Sequence, residues 1–150
     1  MHATLLLCDA AQVDPSGKVH ILGAGWTVVA AAPTGALPGQ AVVVLVHVPW
    51  HRTDEEHRLR LRLEDADGRA VVVGPPENPQ PLVHEQFLRV QRPVGAPAGI
   101  TVDVPVVVTI GPGLVLPPGR YAWRLEIDGE TQEDWMVSFH VRAPSAGAER

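Results

Sequence analysis

The chain has little of what several protein classes require. It has one cysteine, Cys8, which cannot close an internal disulfide, so a small secreted scaffold held by disulfides is excluded. No apolar run approaches the roughly 18 residues that a membrane helix needs. Apolar residues nowhere recur at helical spacing over three turns without Pro or Gly interrupting them, which excludes a helical bundle.

The chain is rich in proline, in glycine and in apolar residues. It contains 15 Pro and 14 Gly among 150 residues, and 45% of it is hydrophobic, too much for a disordered chain. Together these features predict many short segments separated by turns. The length suits one domain with a single core. We expect that domain to span residues 1–142, followed by a flexible tail at 143–150.

The charge balance narrows the possible partners and locations. With 17 acidic and 12 basic residues the net charge is −5, which argues against a nucleic-acid binder. The opening MHATLLLC has no Lys or Arg before its short apolar run, so it favours a first strand over a secretory signal. These features predict a protein of the cytoplasm that binds neither nucleic acid nor membranes.

Alternation of apolar and polar residues is the dominant pattern. In His57–Glu64 the odd positions after His57 are Leu and the even positions are charged, so one face is core and the other is solvent. The pattern predicts an all-β, antiparallel β-sandwich of about eight to ten strands. The predicted strands are Thr4–Cys8, Lys18–Leu22, Trp26–Ala30, Gln40–Val48, His57–Glu64, Ala70–Val73, Leu82–Gln91, Val102–Ile110, Arg120–Ile127 and Trp135–Arg142.

Prolines and a buried-looking strand refine this arrangement. Pro105 lies inside a predicted strand and indicates a sheet edge or a bulge. The prolines at 75, 76, 79 and 81 predict a loop that does not join a ladder. Gln40–Val48 is apolar on both sides, so both sides must be covered, either by a loop or by another subunit. Cover by another subunit would make the protein a homo-oligomer.

The segment Leu116–Tyr121 adds a topological signal. A Leu followed by Pro-Gly and then by Tyr at the start of a strand resembles the tyrosine corner of immunoglobulin-like sandwiches. In that motif the phenol hydroxyl bonds to backbone upstream of the strand. Gly119 and Tyr121 are therefore predicted to be structural residues, and the topology is predicted to be immunoglobulin-like.

Several of these segments together resemble a known family. They are LLCDAAQV at 6–13, GKVHILGAGW at 17–26, LEDADG at 63–68 and LPPGRY at 116–121. The resemblance is to a family of small bacterial proteins, common in actinobacteria, whose function is unknown. It spans residues 4–141 and implies a compact all-β domain, with no catalytic residue to carry over.

Three histidines suggest a metal site. His47, His51 and His57 flank the acidic residues 54–56, and imidazole with carboxylate suits zinc or a similar ion. Their spacing matches no known metal motif, and an extended chain from His47 to His57 can exceed about 30 Å. A polar connection between two strands is the favoured interpretation. A metal-binding or small-ligand protein, or an enzyme that uses this loop, stays open as the alternative.

Other catalytic signals are weak. Gly23-Ala24-Gly25 lacks the third glycine of a dinucleotide fingerprint and predicts a kink between strands. Cys8 lies in an apolar strand, where a thiol is inert. No Gly-x-Ser-x-Gly elbow occurs. The sequence therefore predicts a non-enzymatic protein without a cofactor.

The remaining candidate is a surface of arginines. Two groups project from predicted strand faces, and adjacent strands would unite them into a basic face that binds an acidic partner. The alternative is a solvated sheet face on which Glu64 or Glu126 pairs with them. The candidate binding residues are Arg58, Arg60, Arg62, Arg120, Arg124 and Arg142.

Three functions follow from these patterns. The first is a β-sandwich module with a protein-binding or assembly role, either with another protein or with its own copies. The second is the metal or small-ligand protein just described. The third is a structural subunit of a phage-derived particle, which depends only on analogy of fold.

Overall fold

The computed structural model describes residues 1–144 of the chain, and within them strands account for nearly all regular structure. The only helical segment in that range is one 3-10 turn at Trp50–Arg52. The strands are β1 (His2–Val13), β2 (Val19–Ala24), β3 (Val28–Ala30), β4 (Gln40–Val48), β5 (Glu56–Asp65), β6 (Val72–Val73), β7 (Gln80–Pro81), β8 (Val83–Arg89), β9 (Val102–Ile110), β10 (Gly119–Ile127) and β11 (Met136–Arg142).

Nine of these strands form the two sheets of a sandwich. The smaller sheet has the order β2-β1-β4-β9, and the larger sheet has the order β3-β11-β10-β5-β8. All pairs are antiparallel except β3 with β11, which is parallel. This order is that of an immunoglobulin-like sandwich. In the standard lettering of that fold, β1, β4 and β9 correspond to strands A, B and E. The strands β5, β8, β10 and β11 correspond to C, C′, F and G. The predicted all-β sandwich is confirmed.

The core lies between the two sheets. Leu59, Leu61 and Leu63 of β5 are fully buried, as the alternation predicts. They pack in one cluster with Trp123 from β10 and with Val44 from the opposite sheet. The strands β4, β5, β9, β10 and β11 contribute alternate residues to this cluster, because successive side chains point to opposite faces. The polar residues between them therefore form the outer face of the larger sheet.

The second apolar side of β4 is covered by the chain itself. Ala41 and Val43 form a small buried cluster with Cys8, outside the main core. Ala11 of β1 and Val19 of β2 pack against this cluster, so the β1–β2 hairpin supplies the cover. A second subunit is not needed at this strand, and the apolar character of β4 gives no support to an oligomer.

The tyrosine corner is present. The hydroxyl of Tyr121 donates to the carbonyl oxygen of Pro117 at 2.7 Å, and its ring stacks on Phe139. Burial raises the pKa of Tyr121, so the hydroxyl stays protonated and remains a donor. Gly119, two residues earlier, has a φ of 150°, a conformation that favours glycine. Both predicted structural residues thus act at the crossover from β9 to β10.

The predicted strands match best where apolar runs are long. Gln40–Val48 and Val102–Ile110 are observed with the predicted bounds, and Pro105 lies on an edge strand. The predicted strand Ala70–Val73 shortens to the two residues of β6.

The prediction that the proline-rich loop joins no ladder is wrong, because Pro81 pairs with Val72. That position needs no N–H from Pro81, since the hydrogen bond is made by the next residue, Leu82, to Val71.

Two further findings concern the ends of the chain and membranes. The strands continue to Arg142, and residues 145–150 of the predicted tail lie outside the described residues. Among residues 1–144, no helix is long and apolar enough to cross a bilayer.

Replacement of Tyr121 by Phe tests the tyrosine corner. The variant keeps the ring and its stacking but removes the bond to Pro117, so we expect a loss of about 1 kcal/mol in the free energy of unfolding. Urea denaturation followed by tryptophan fluorescence measures it. Ser138→Ala, on the outer face, serves as a control that should leave stability nearly unchanged. Equal stability of Tyr121→Phe and the wild type would show that the bond contributes nothing.

Candidate functional site

The six candidate arginines lie on one face of the molecule. Those of β5 alternate with its buried leucines, and those of β10 and β11 occupy positions between buried residues such as Tyr121. The strand register sets Arg62 opposite Arg124. We call this outer surface of the larger sheet the arginine face. Its candidate members are Arg58, Arg60, Arg62, Arg120, Arg124 and Arg142.

Two of the arginines share a carboxylate from the edge strand β8. Arg58 donates to Oε2 of Glu85 at 2.7 Å, and the Nε of Arg60 lies 3.2 Å from the same oxygen, out of hydrogen-bond alignment. The hydrogen bond from Arg58 lowers the pKa of Glu85, so this residue is a stable carboxylate. Arg60 also lies 3.7 Å from Glu126 of β10. This part of the face is close to electrically neutral.

Glu64 pairs with two arginines at the centre of the face. Its side chain is only 7% exposed. Arg62 bonds to Oε1 at 2.6 Å, and Arg124 bonds to Oε2 at 3.1 Å. Because each oxygen has its own guanidinium, the buried carboxylate is satisfied, and both arginines are held against the sheet.

The remaining two arginines have no carboxylate partner within the described residues. Arg120 lies directly opposite His140, and Arg142 follows two residues later on the same side of β11. All three residues are exposed, and within residues 1–144 neither arginine has a carboxylate within ion-pair distance. We call Arg120, His140 and Arg142 the cationic patch.

A depression of about 170 Å³ adjoins the cationic patch. The small side chains of Ala122 and Ser138 lie in it side by side, because these residues are paired in the register of β10 with β11. Arg120 and Arg124 line it, and the turn at 65–68 lines it from the other side. Glu64, which holds Arg124, and Asp65 are also in the lining, so the guanidinium group left without a carboxylate partner at this depression is that of Arg120.

The alternative interpretation of the arginines, pairing with glutamates, describes part of the face, and the binding role stays a prediction. Glu64 and Glu126 pair with the arginines as the alternative anticipates, and the cationic patch stays without a partner among the described residues. The sequence does not indicate Glu85 as a partner of the arginines. The alternation in β8 predicts a strand, but it does not reveal that β8 lies beside β5.

The three candidate histidines do not share a site. His47 bonds through Nδ1 to Asp103 at 2.7 Å and stacks on the ring of His2. His51 lies in the 3-10 turn. His57 is fully buried elsewhere, in the start of β5. Within residues 1–144 no group of three or more metal-binding side chains comes together.

His57 instead joins three segments at one end of the sandwich. Its Nε2 donates to the carbonyl oxygen of Arg52 at 2.9 Å, and its Nδ1 lies 2.7 Å from Oδ2 of Asp128. Both partners are hydrogen-bond acceptors, so the buried ring lies between a carbonyl oxygen and a carboxylate. Asp128 also accepts the backbone N–H of Arg58 at 2.9 Å.

The carboxylate of Asp128 is stabilised in its charged form by the groups around it. Burial alone would raise its pKa, but hydrogen bonds from His57 and Arg58, with the charges of His57 and Arg52, lower it below the ordinary value. Asp128 has a φ of 54° and Gly129 a φ of 82°, as in the tight turns of hairpins. The Asp-Gly pair is the sequence signal for this turn, but nothing in the sequence links it to His57.

The family of the chain agrees with the resemblance seen in its motifs. The family of unknown function DUF6941 matches residues 3–142, so the chain belongs to that family. The bacterial distribution that the resemblance implies stays a prediction. No curated protein matches the chain.

Replacement of Asp128 by Asn tests the His57 network. Asn keeps the turn, since it tolerates a positive φ, but it removes the charge facing His57 and Arg52. We expect a loss of about 1 kcal/mol in the free energy of unfolding at pH 7. The folded pKa of Asp128 lies below its unfolded value of about 4, so its contribution is full above pH 4 and is lost as the pH falls through the folded pKa.

Urea denaturation at pH 7 and at pH 3 measures both effects. Asp134→Asn, in the same hairpin, makes the same chemical change at a residue that forms no ion pair with the described residues. A gap between wild type and Asp128→Asn that is absent at pH 7, or as large at pH 3 as at pH 7, would contradict the assignment.

Proposed function

We propose that the chain is a non-enzymatic protein-binding module that takes an acidic segment of a partner protein onto the cationic patch. The observation that carries this proposal is the contrast within one face. Four arginines are paired with glutamates, whereas Arg120 and Arg142 have no carboxylate partner among the described residues. A cytoplasmic location belongs to the proposal, and the single buried thiol of Cys8 supports it.

The charge distribution favours an acidic partner. The strands of the larger sheet present seven arginines and four glutamates on their outer side, although the whole chain carries a net charge of −5. The basic excess is therefore local. Guanidinium groups bind carboxylates with two parallel hydrogen bonds, which gives both charge and geometric selectivity.

The shape of the site favours a protein segment over a small molecule. The depression beside Arg120 has a volume of about 170 Å³. Pockets for small ligands are usually about 300–1,000 Å³ and enclose most of the ligand. A shallow depression on the sheet instead suits a single acidic side chain of a larger partner. Neighbouring carboxylates of the same partner segment would bind to Arg142 and His140.

Binding of poly-L-glutamate tests this proposal. Fluorescence anisotropy of a labelled short polymer at low salt measures the dissociation constant. We expect Arg120→Glu and Arg142→Glu each to weaken binding about tenfold, because each replaces an attraction with a repulsion. Lys18→Glu reverses the same charge in the β1–β2 turn and should have little effect.

The salt dependence of binding sharpens the same experiment. Added salt should weaken binding, because the contacts are exposed and screened. Equal losses in Lys18→Glu and Arg120→Glu would show that only the overall charge matters. Absence of binding at low salt would exclude the patch as an acidic-segment site.

A further inference from the structure

We propose that β8 is an interface between two copies of this chain, which join edge to edge around a two-fold axis at Phe87. β8 is the edge strand next to β5, whereas the cationic patch lies on β10 and β11. The interface therefore uses none of the residues of the cationic patch. The proposal is therefore independent of the acidic partner. It concerns a strand whose outer backbone groups and most exposed aromatic side chain have no partner among the described residues.

The outward backbone groups of β8 follow from its pairing with β5. The N–H of Leu63 bonds to the carbonyl of Leu82, and the N–H of Asp54 bonds to the carbonyl of Val90. In an antiparallel ladder every second residue bonds to the same neighbour, so the even-numbered residues of β8 face β5. The groups of the odd-numbered residues point away from the sheet. These are Val83, Glu85, Phe87 and Arg89.

The other edges are less suited to accept a strand. β9 is interrupted by Pro105, which has no N–H. β3 has only three residues. β2 has six residues and carries the exposed Leu22, so it is the competing edge. β8 has seven residues and no proline.

Side chains select one register for two antiparallel copies of β8. When Phe87 lies opposite Phe87 of the second copy, Glu85 lies opposite Arg89 of that copy, and the same pair recurs on the other side of the axis. Aromatic pairs and opposite charges are the favourable cross-strand neighbours. A register centred on Glu85 or on Arg89 would place like charges opposite each other. The charge pattern thus complements itself in the proposed register.

The groups that this register requires are available. Arg58 and Arg60 both approach Oε2 of Glu85, and Oε1 has no hydrogen bond within the described residues. Arg89 forms no ion pair with the described residues. Phe87 is 59% exposed, unusually high for a large apolar side chain on a strand. Pairing would bury it and would join two five-stranded sheets into one of ten strands.

Sedimentation velocity of the full chain over a range of concentrations tests the interface. We expect a reversible dimer for the wild type. Arg89→Glu creates two Glu–Glu contacts across the axis and should raise the dimer dissociation constant about tenfold or more. Phe87→Ser should also weaken the dimer. Leu22→Ser removes an exposed apolar side chain from the competing edge and should leave the dimer intact.

A cross-link tests the register independently. In the proposed register the Cα atoms of residue 87 in the two copies lie about 5.5 Å apart, which suits a disulfide. Phe87→Cys should therefore form a covalent dimer under mild oxidation, whereas the native Cys8 is buried and should not. Circular dichroism confirms that the variants fold. A wild type that stays monomeric at all concentrations, or a dimer lost only in Leu22→Ser, would overturn the proposal.

Discussion

The register between β5 and β10 sets Leu61 opposite Leu125 and Arg60 opposite Glu126, so that one pairing determines both the core and the surface. Successive side chains of a strand point to opposite faces. A slip by one residue would therefore bring the arginines of β5 into the core and expose its leucines to water. The burial of Leu59, Leu61 and Leu63 makes such a slip very unfavourable.

The ends of this strand pair reinforce the same register. At one end Asp128 accepts the N–H of Arg58 and donates its own N–H to the carbonyl of that residue, while His57 holds the carboxylate from inside. At the other end Glu64 ties Arg62 of β5 to Arg124 of β10. The arginine face is thus an ordered array, and the cationic patch is the part of it that lacks carboxylates among the described residues. The outward edge of β8 depends on the same pairing.

The sequence predicts the parts of this structure that depend on local pattern. Alternation in His57–Glu64 indicates which residues are buried, and Leu116–Tyr121 indicates the tyrosine corner, because both signals lie within a few adjacent residues. It does not predict contacts between distant strands. Neither Glu85 beside Arg58 nor Asp128 beside His57 has a local signal, since strand order is set by the packing of the whole sandwich. The sequence groups His47, His51 and His57, but strand geometry separates them.

β5 holds β10 and β8 in one register, and this register leaves the backbone groups of the odd-numbered residues of β8 without partners among the described residues. Residue-resolved hydrogen exchange by NMR on dilute protein tests this most directly. We predict slow exchange of the amide protons of His84, Gln86 and Leu88, and fast exchange of those of Glu85, Phe87 and Arg89. The reverse alternation, or uniform protection along β8 at low concentration, would contradict the register and the surfaces derived from it.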